Sequence, residues 1–420
     1  WDSLRAAMDQ IAMNVRRERI ECEFDWVPGY LHTPFADNPD EKVLDHLRSD
    51  AELANELGFQ ATFRDTVPVM GRPGVQFMNQ AKFHPRKYVA GLLRAIAGNG
   101  CDVFEQTNVE DVEDEPLRVR ANGHSIRCGY VVIATHVPIM GKAGTLSATL
   151  LQTKLYPYST YAMGAKVAAG TMPEGVFWDT GTPYYYLRVD RHHDHDYLIY
   201  GGEDHKTGQE KNTVEVFRRL EAALHRIAPN AVTDHRWSGQ VIETPDGLPY
   251  IGETTKGQFV STGYSGQGMT FGTLGAMMAV DAYLARENPW SDLYAPDRKA
   301  IKTGKWDYLR ENAQFPYYLV RDRLSGAEDD SLSALARNSG MILSLSGRKV
   351  AAFRDENGNV TLLSPVCTHL KCIVAWNEAE QTWDCPCHGS RFRATGEVFA
   401  GPAEENLERL STAELSTREK

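Results

Sequence analysis

Four of the chain's seven cysteines and two of its histidines fall in one stretch, CTHLKCIVAWNEAEQTWDCPCHGSRF, running from Cys367 to Phe392. The order is Cys367-x-His369, fifteen residues, then Cys385-x-x-His388. Each loop offers one thiolate and one imidazole. A mononuclear zinc site could use such ligands, but zinc modules usually space two cysteines as C-x2-4-C and then repeat a pair. A zinc or disulfide knot is the plain alternative. A Cys–His pair from each of two loops suits a binuclear iron cluster better, with one iron taking both sulfurs and the other both nitrogens. Replacing two thiolates by neutral imidazoles removes negative charge and stabilises the reduced state.

The stretch resembles the Rieske [2Fe–2S] domain, in the subset with two extra cysteines. The resemblance implies Cys367, His369, Cys385 and His388 as cluster ligands, and a disulfide between Cys372 and Cys387 that ties the two loops together. It also implies a hydrogen bond from the Ser390 hydroxyl to a cluster sulfide. The sequence GPA at Gly401 to Ala403 matches the family's proline loop, which puts Pro402 over the cluster. Rieske potentials lie near roughly −150 to +300 mV, against about −400 mV for all-cysteine ferredoxins. High-potential members carry a tyrosine where this chain has Phe392, so one donor is lost and a potential below the family's high end is expected. Lys371 replaces a more usual glycine and reads as a surface change. Upstream, GMILSLSGRKVAAFRDENGNVTLLSPV alternates apolar and polar residues around an Asn-Gly turn, the signature of a small all-β module. The Rieske domain is therefore expected over 335–412, after a polar linker at 316–334.

The remainder is different in character. A chain of 420 residues suggests two or three domains. A net charge of −11, with no basic cluster, argues against a nucleic-acid partner. No run of eighteen apolar residues exists, so no membrane span is predicted. Trp1, Leu4, Met8, Ile11 and Val15 follow helical spacing from the first residue, as if the chain opened in mid-helix and had been cut. No secretory signal is visible. Cys22, Cys101 and Cys128 are scattered, which fits a reducing, cytoplasmic setting.

The first eighty residues read mainly as helices, including DEKVLDHLRSDAELANELGF, which ends at Gly58, and later HPRKYVAGLLRAIAGNG, with Pro85 at its start. Strand signals follow up to the buried run YVVIAT. A Tyr/Gly/Thr-rich antiparallel sheet is expected over about 155–235, with a helix before Pro229. The strand QFVSTG then runs into Gly263, Gly266 and Gly268, and a helix starts near Met269. Bare backbone N–H groups at such a helix start favour anions and electron-rich heterocycle edges, although glycine-rich strand–helix turns occur in many α/β proteins.

The order HPRKYVAGLLRAIAGNGCDVFEQTNVEDV, YVVIAT, RWSGQVIETPDGLPYIG, GYSGQGMTFG, WSDLYAPDR resembles the D-amino-acid-oxidase-like flavoproteins, among them glycine oxidase, sarcosine oxidase and D-amino acid dehydrogenase. A branch of that family carries a C-terminal Rieske domain. The resemblance implies an FAD-binding, Rossmann-like domain over 1–315 that includes an antiparallel substrate sheet. The overall class is then α+β or α/β, with the all-β Rieske domain at the C-terminus. It places Val109 near the adenine, Ala134 and Thr135 beside the pyrophosphate and ribose, and Gly263, Gly266, Gln267, Gly268, Met269 and Thr270 against the ribityl chain and isoalloxazine. Plain strand packing is the alternative for Val109, Ala134 and Thr135. The family's opening strand–GxGxxG–helix is not in this sequence, and the chain reads as lacking roughly eighty to ninety residues there.

Family members often clamp a substrate carboxylate with an arginine in GLRP. The matching stretch is GQVIETPDG, and that position holds Val241. A simple α-amino acid is a poor fit. Arg188, beside Tyr184 to Tyr186, is an alternative anion site or an ordinary packed strand residue. DRHHDHD at Asp190 to Asp196 lacks the D-x-x-H-x4-H spacing of a mononuclear iron site and reads as a hairpin turn. The expected activity is oxidation of an amine-like small molecule by FAD. The Rieske cluster then passes electrons singly to a protein or quinone acceptor, or receives them from a donor. The alternative is a Rieske electron carrier whose larger part is a binding scaffold without FAD. No residue stands out as a catalytic acid or base.

Overall fold

The computed structural model describes residues 1–35, 39–98, 100–138, 151, 153–298, 321, 326–329 and 331–411. Most of the expected linker lies outside these residues, as does the end of the Rieske segment at 412.

The chain opens with α1 (Asp2–Arg17), β1 (Asp25–His32), α2 (Glu41–Glu56), β2 (Ala61–Arg64), β3 (Gly74–Lys82) and α3 (Pro85–Ile96). The helices form where expected. Helix α1 buries Ser3, Ala7 and Ile11 on one face and sets Asp2 and Arg16/Arg17 at the ends that suit its dipole. Pro85 opens α3, where its missing N–H costs nothing. The three interleaved strands correct the mainly helical expectation. DWVPGYLH was obscured by Pro28 and Gly29, and the register between β1 and β3 shifts there between Val27 and Gly29.

A meander follows, β4 (Val109–Glu113), β5 (Arg118–Ala121) and β6 (His124–Arg127), turned by Asn122-Gly123, and then β7 (Val131–Ile133). Next come β8 (Tyr156–Ala168), β9 (Gly175–Asp179), β10 (Tyr186–Arg191), β11 (His195–Lys206), α4 (Thr213–Ile227) and β12 (Val232–Glu243). After these stand β13 (Tyr250–Thr255), β14 (Gln258–Thr262), α5 (Gly268–Tyr283) and the short α6 (Ser291–Tyr294). The C-terminal segment holds β15 (Ser339–Leu345), β16 (Arg348–Arg354), β17 (Val360–Leu363), β18 (Ala375–Asn377), β19 (Thr382–Asp384), β20 (Arg391–Arg393) and β21 (Val398–Ala400).

The largest sheet runs β12-β8-β11-β10-β9-β1-β3-β2, antiparallel except for the pair β1 and β9. The expected antiparallel sheet is its larger half, extended to Glu243 and completed by the N-terminal strands. Helix α4 covers one face, where Tyr161, Met163, Leu198, Leu220 and Leu224 are buried together. A second sheet, β13-β14-β7, pairs β14 and β7 in parallel and packs on α5, which in turn packs on α1 through Ala7, Leu274 and Met278. The C-terminal segment has two small sheets, β15-β16-β17 and β18-β19-β20-β21. Its core is built from Trp383, Phe392, Val374 and the cluster-loop cysteines. Asp190 to Asp196 makes the β10–β11 hairpin, closed by His192 N–H donating to His195 O at 2.9 Å. Among the described residues no helix is long and apolar enough to cross a membrane.

Candidate functional site

Two tight loops bring the cysteine–histidine pairs together. The first is folded by Cys367 N–H donating to Cys372 O at 2.8 Å and Lys371 N–H to Cys367 O at 3.1 Å, with Lys371 at φ 61°. The second is folded by Cys385 N–H donating to Ser390 O at 2.8 Å and Gly389 N–H to Cys385 O at 3.0 Å, with Gly389 at φ 67°. A disulfide joins them, Cys372 to Cys387, with Cα atoms 6.5 Å apart. This is the pairing that the resemblance implied.

Cys367 and Cys385 are free and buried, and the Cys385 sulfur lies within 4.8 Å of both disulfide sulfurs. The His369 and His388 rings stand 5.1 Å apart at 87°. Burial pushes both imidazoles down to about 4, so both are neutral at pH 7 and can offer a nitrogen lone pair. The Cys367 thiol is drawn down to about 7, first by its hydrogen bond with Cys385 and then by the backbone at His369 and by Ser390. That same contact, with complete burial, holds the Cys385 thiol up. Ser390 is fully buried, and its Oγ accepts from Ala403 N–H at 3.1 Å, which draws the loop containing Pro402 over the pair of loops. Phe392 is also fully buried, in the core beneath.

A second site forms where β7 and β14 end. Ala134, Thr135 and His136 follow β7, and Gly263 to Gln267 follow β14. Thr262 Oγ1 donates to His136 O at 2.5 Å, binding the two turns side by side at the C-terminal ends of parallel strands. That edge is where open α/β sheets receive ligands. Gly263 and Gly266 take φ 80° and 81°, which a side chain would resist. A Cβ at Gly263 would meet Thr244 Cγ2 at 2.5 Å. Gln267 starts α5 without a side-chain cap, so the first N–H groups at Gly268, Met269 and Thr270 have no capping side chain. Beside this turn lies a cavity of about 670 Å³, lined among others by Trp1, Phe59, Phe77, Trp178, Gln267 and Thr270. Val109 is in a different sheet, paired with Ala121.

The uncovered face of the large sheet meets the same turn. A Cβ at Gly266 would stand 3.3 Å from Tyr184 Oη and 4.0 Å from Val241 Cγ1. Two carboxyls accompany these residues. Burial, with Asp204 adding to it, holds Glu243 above the usual carboxylate range. Burial likewise raises Asp204, whose Oδ1 is buried with no hydrogen-bond partner among the described residues. No cation pairs with either among the described residues. No local pattern in the sequence marks this acidic pair. Arg188 is not part of the site, because its Nε donates to Asp190 and its Nη1 to Phe83 O at 2.6 Å.

Residues 2–282 match the family described as FAD dependent oxidoreductase (DAO). The chain belongs to that family. Residues 330–411 match the Rieske [2Fe-2S] domain. A Bacillus subtilis (strain 168) chain described as a Rieske 2Fe-2S iron-sulfur protein, YhfW, is 28% identical over 417 residues, covering 98% of this chain and 80% of that one. The cytochrome b6-f complex iron-sulfur subunit of Synechococcus sp. (strain JA-3-3Ab) is 53% identical over 58 residues, 13% of this chain and 34% of that one. Glycine oxidase from Geobacillus kaustophilus shares the fold with a TM-score of 0.57 at 16% identity, over 71% of this chain and 82% of that chain. L-proline dehydrogenase from P. horikoshii does so with a TM-score of 0.56 at 18% identity, over 70% and 81%.

This chain is thus an FAD-dependent oxidoreductase of the DAO family with a C-terminal Rieske domain, and FAD and a [2Fe–2S] cluster are the cofactors it implies. The residues fit both. Two adjacent thiols and two neutral imidazoles on linked loops are the donor set of a Rieske centre. The uncapped helix start, the glycine turn and the aromatic-lined cavity suit a flat heterocycle carried on a polar chain.

Proposed function

We propose that the protein is a dehydrogenase of a C–N bond in an amine or amino-acid-like molecule, and that it delivers electrons one at a time to an outside carrier protein or quinone. The observation carrying this reading is the meeting of the Gly266 turn with Val241, Tyr184 and Glu243 on one sheet face. In this reading Gly263 and Gly266 to Thr270 face the ribityl chain and isoalloxazine. Ala134 and Thr135 flank the pyrophosphate and ribose, and Val109 lies beside the adenine. Cys367, His369, Cys385 and His388 hold the cluster, with Ser390 and Pro402 around it. When bound, FAD supplies hydride acceptance and the cluster supplies one-electron transfer.

The chain's own residues set the substrate. Val241 provides no guanidinium for a carboxylate, whereas Asp204 and Glu243 form an acidic floor with which no cation pairs among the described residues. An ammonium group satisfies that floor, and a carboxylate with a raised pKa takes its proton so that the nitrogen lone pair is free. Tyr184, which meets the same turn and lies near both carboxyls, limits the space over the floor. We assign 1–315 to the oxidoreductase part, 316–334 to the linker and 335–412 to the Rieske domain, and a cytoplasmic location on the three scattered cysteines.

The test is a visible spectrum of the purified protein, oxidised and dithionite-reduced, with flavin and iron quantified. An amine screen then follows, using a one-electron dye as acceptor. Dye reduction with bleaching of the cluster and little peroxide is expected. Fast hydrogen peroxide formation with the cluster left oxidised would sink the reading.

A further inference from the structure

The cluster loop 385–390 does not end in solvent. It lies in a seat made by the large sheet. Gly208, at φ 77°, lies so close beneath it that a Cβ there would stand 2.8 Å from Cys385 C and from Pro386 N. A Cβ at Gly389 would meet Pro157 Cβ at 2.4 Å. Three side chains fasten the contact. Gln209 Nε2 donates to Pro386 O at 3.2 Å, Gln240 Nε2 to Gly389 O at 2.8 Å, and Ala379 N–H to Thr213 Oγ1 at 3.1 Å. Gln240 is itself held by Thr207 Oγ1 at 3.2 Å, and Thr207 by Ser159 Oγ at 3.0 Å.

The position of the seat matters. Gln240 and Val241 are neighbours on β12, so their side chains leave opposite faces. Val241 meets the Gly266 turn, and Gln240 meets the residue that follows His388. One strand therefore separates the two sites. In the other loop Leu370 is exposed.

We infer that Pro157, Gly208, Gln209 and Gln240 form a built-in docking port, in which the cluster loop works while seated against the oxidoreductase part, with Gln240 as the positioning residue between the two sites. The alternative is a domain that swings away to collect electrons. The route rests on the two-cofactor reading, and the seat does not. The balance is simple. One amine loses two electrons and two protons, a hydride from carbon and a proton from nitrogen. The electrons cross the seat singly, and two equivalents of a one-electron carrier outside, or one quinone, take them up.

The full chain with its cluster is examined as wild type, Gly208→Val and Gln240→Leu. Hydrogen exchange reads the seat without needing flavin. In wild type, segments 156–160, 206–209 and 385–390 are expected to be protected. In G208V protection should fall at least tenfold in all three, while the reduced cluster keeps a Rieske-type electron paramagnetic resonance signal, showing that the domain is still folded. Q240L should give a smaller loss and a shift in cluster midpoint potential. Rapid exchange of 206–209 in the wild type, or unchanged protection in both variants, overturns the port. For the route, light-driven reduction of bound flavin should reduce the wild-type cluster at a rate independent of protein concentration. In G208V the rate should become concentration-dependent. Concentration dependence already in wild type overturns the route. A preparation that holds no flavin counts against the two-cofactor reading alone, because the exchange result still decides the port.

Discussion

Arg298 closes on Asp246 from two directions, Nη2 to Oδ1 at 2.7 Å and Nε to Oδ2 at 3.0 Å, with side chains only 8% and 1% exposed. The guanidinium also donates to Pro249 O and Leu248 O and lies 4.1 Å from the centre of the Tyr250 ring. Asp246 lies in the turn that leads back to the strand beside Gly263, and Thr244, which opens that turn, is what a side chain at Gly263 would strike. The ion pair therefore stabilises the wall of the candidate flavin turn.

Removing one partner of a buried pair leaves the other uncompensated, at a cost of about 3–5 kcal/mol. Arg298 would keep its carbonyl acceptors, so Asp246→Asn is expected near the lower end, about 3 kcal/mol by urea denaturation. Burial pushes the Asp246 carboxyl up, but Arg298 outweighs this and the group titrates below its ordinary value. The stabilisation is therefore complete above the unfolded value of about 3.9 and is lost as pH falls through the lower folded value. The variant should lose that part of the acid sensitivity. Equal acid midpoints in the two proteins would contradict the assignment.

Helix α5 lies against β14 at one glycine. A Cβ at Gly275 would come within 2.2 Å of Ser261 Oγ but 3.2 Å from Ser261 Cβ. Gly275→Ala should destabilise the protein by about 1–3 kcal/mol through overpacking. Adding Ser261→Ala should recover most of that, because only the hydroxyl is in the way. Additive losses in a thermal-melt double-mutant cycle would show that the clash is not the cause.

The disulfide between Cys372 and Cys387 spans 15 residues. A closed loop of that length contributes about 3 kcal/mol by constraining the unfolded chain. Cys372→Ser should still assemble the cluster, since Cys367 and Cys385 are untouched, but should lose its visible absorbance in urea well before the wild type. In the same domain, Phe392→Tyr would restore the hydroxyl that high-potential Rieske domains carry. One added hydrogen bond of about 1 kcal/mol corresponds to roughly +40 mV for a one-electron couple. A redox titration showing no rise would mean that the new hydroxyl does not reach the cluster.

The cluster loops were legible in the sequence because their partners are local. Each loop supplies its ligands within four residues. The disulfide came from the family resemblance and was then found in the structure. The glycine turn was legible for the same reason, a strand running into Gly263 and Gly266. The sheet floor was not. Asp204 sits where the pairing of β11 with β8 slips between Gly202 and His205, and Glu203 takes φ 60°. A bulge breaks the two-residue alternation by which a strand's inward side chains are read. Glu243 joins Asp204 only through the intervening β8, which no local pattern reports. Strands β1 to β3 were missed because Pro28 and Gly29 interrupt the first and β2 is four residues long.

The acidic floor makes the last prediction, because it sets stability against activity. Burial raises both Glu243 and Asp204, so their ionised forms are disfavoured in the folded state. A carboxyl with a raised folded value weakens the fold at every pH above its ordinary range and has no such effect at low pH. Glu243→Gln keeps the shape while removing that penalty. It should melt higher than wild type at pH 7 and the same at pH 4. If the pair receives the substrate's ammonium and its proton, the variant should also lose turnover at least tenfold, with the acid limb of its pH profile flattened. Higher stability with full turnover would leave Glu243 a buried liability and move the proton-accepting role to Asp204, where Asp204→Asn is the decisive comparison.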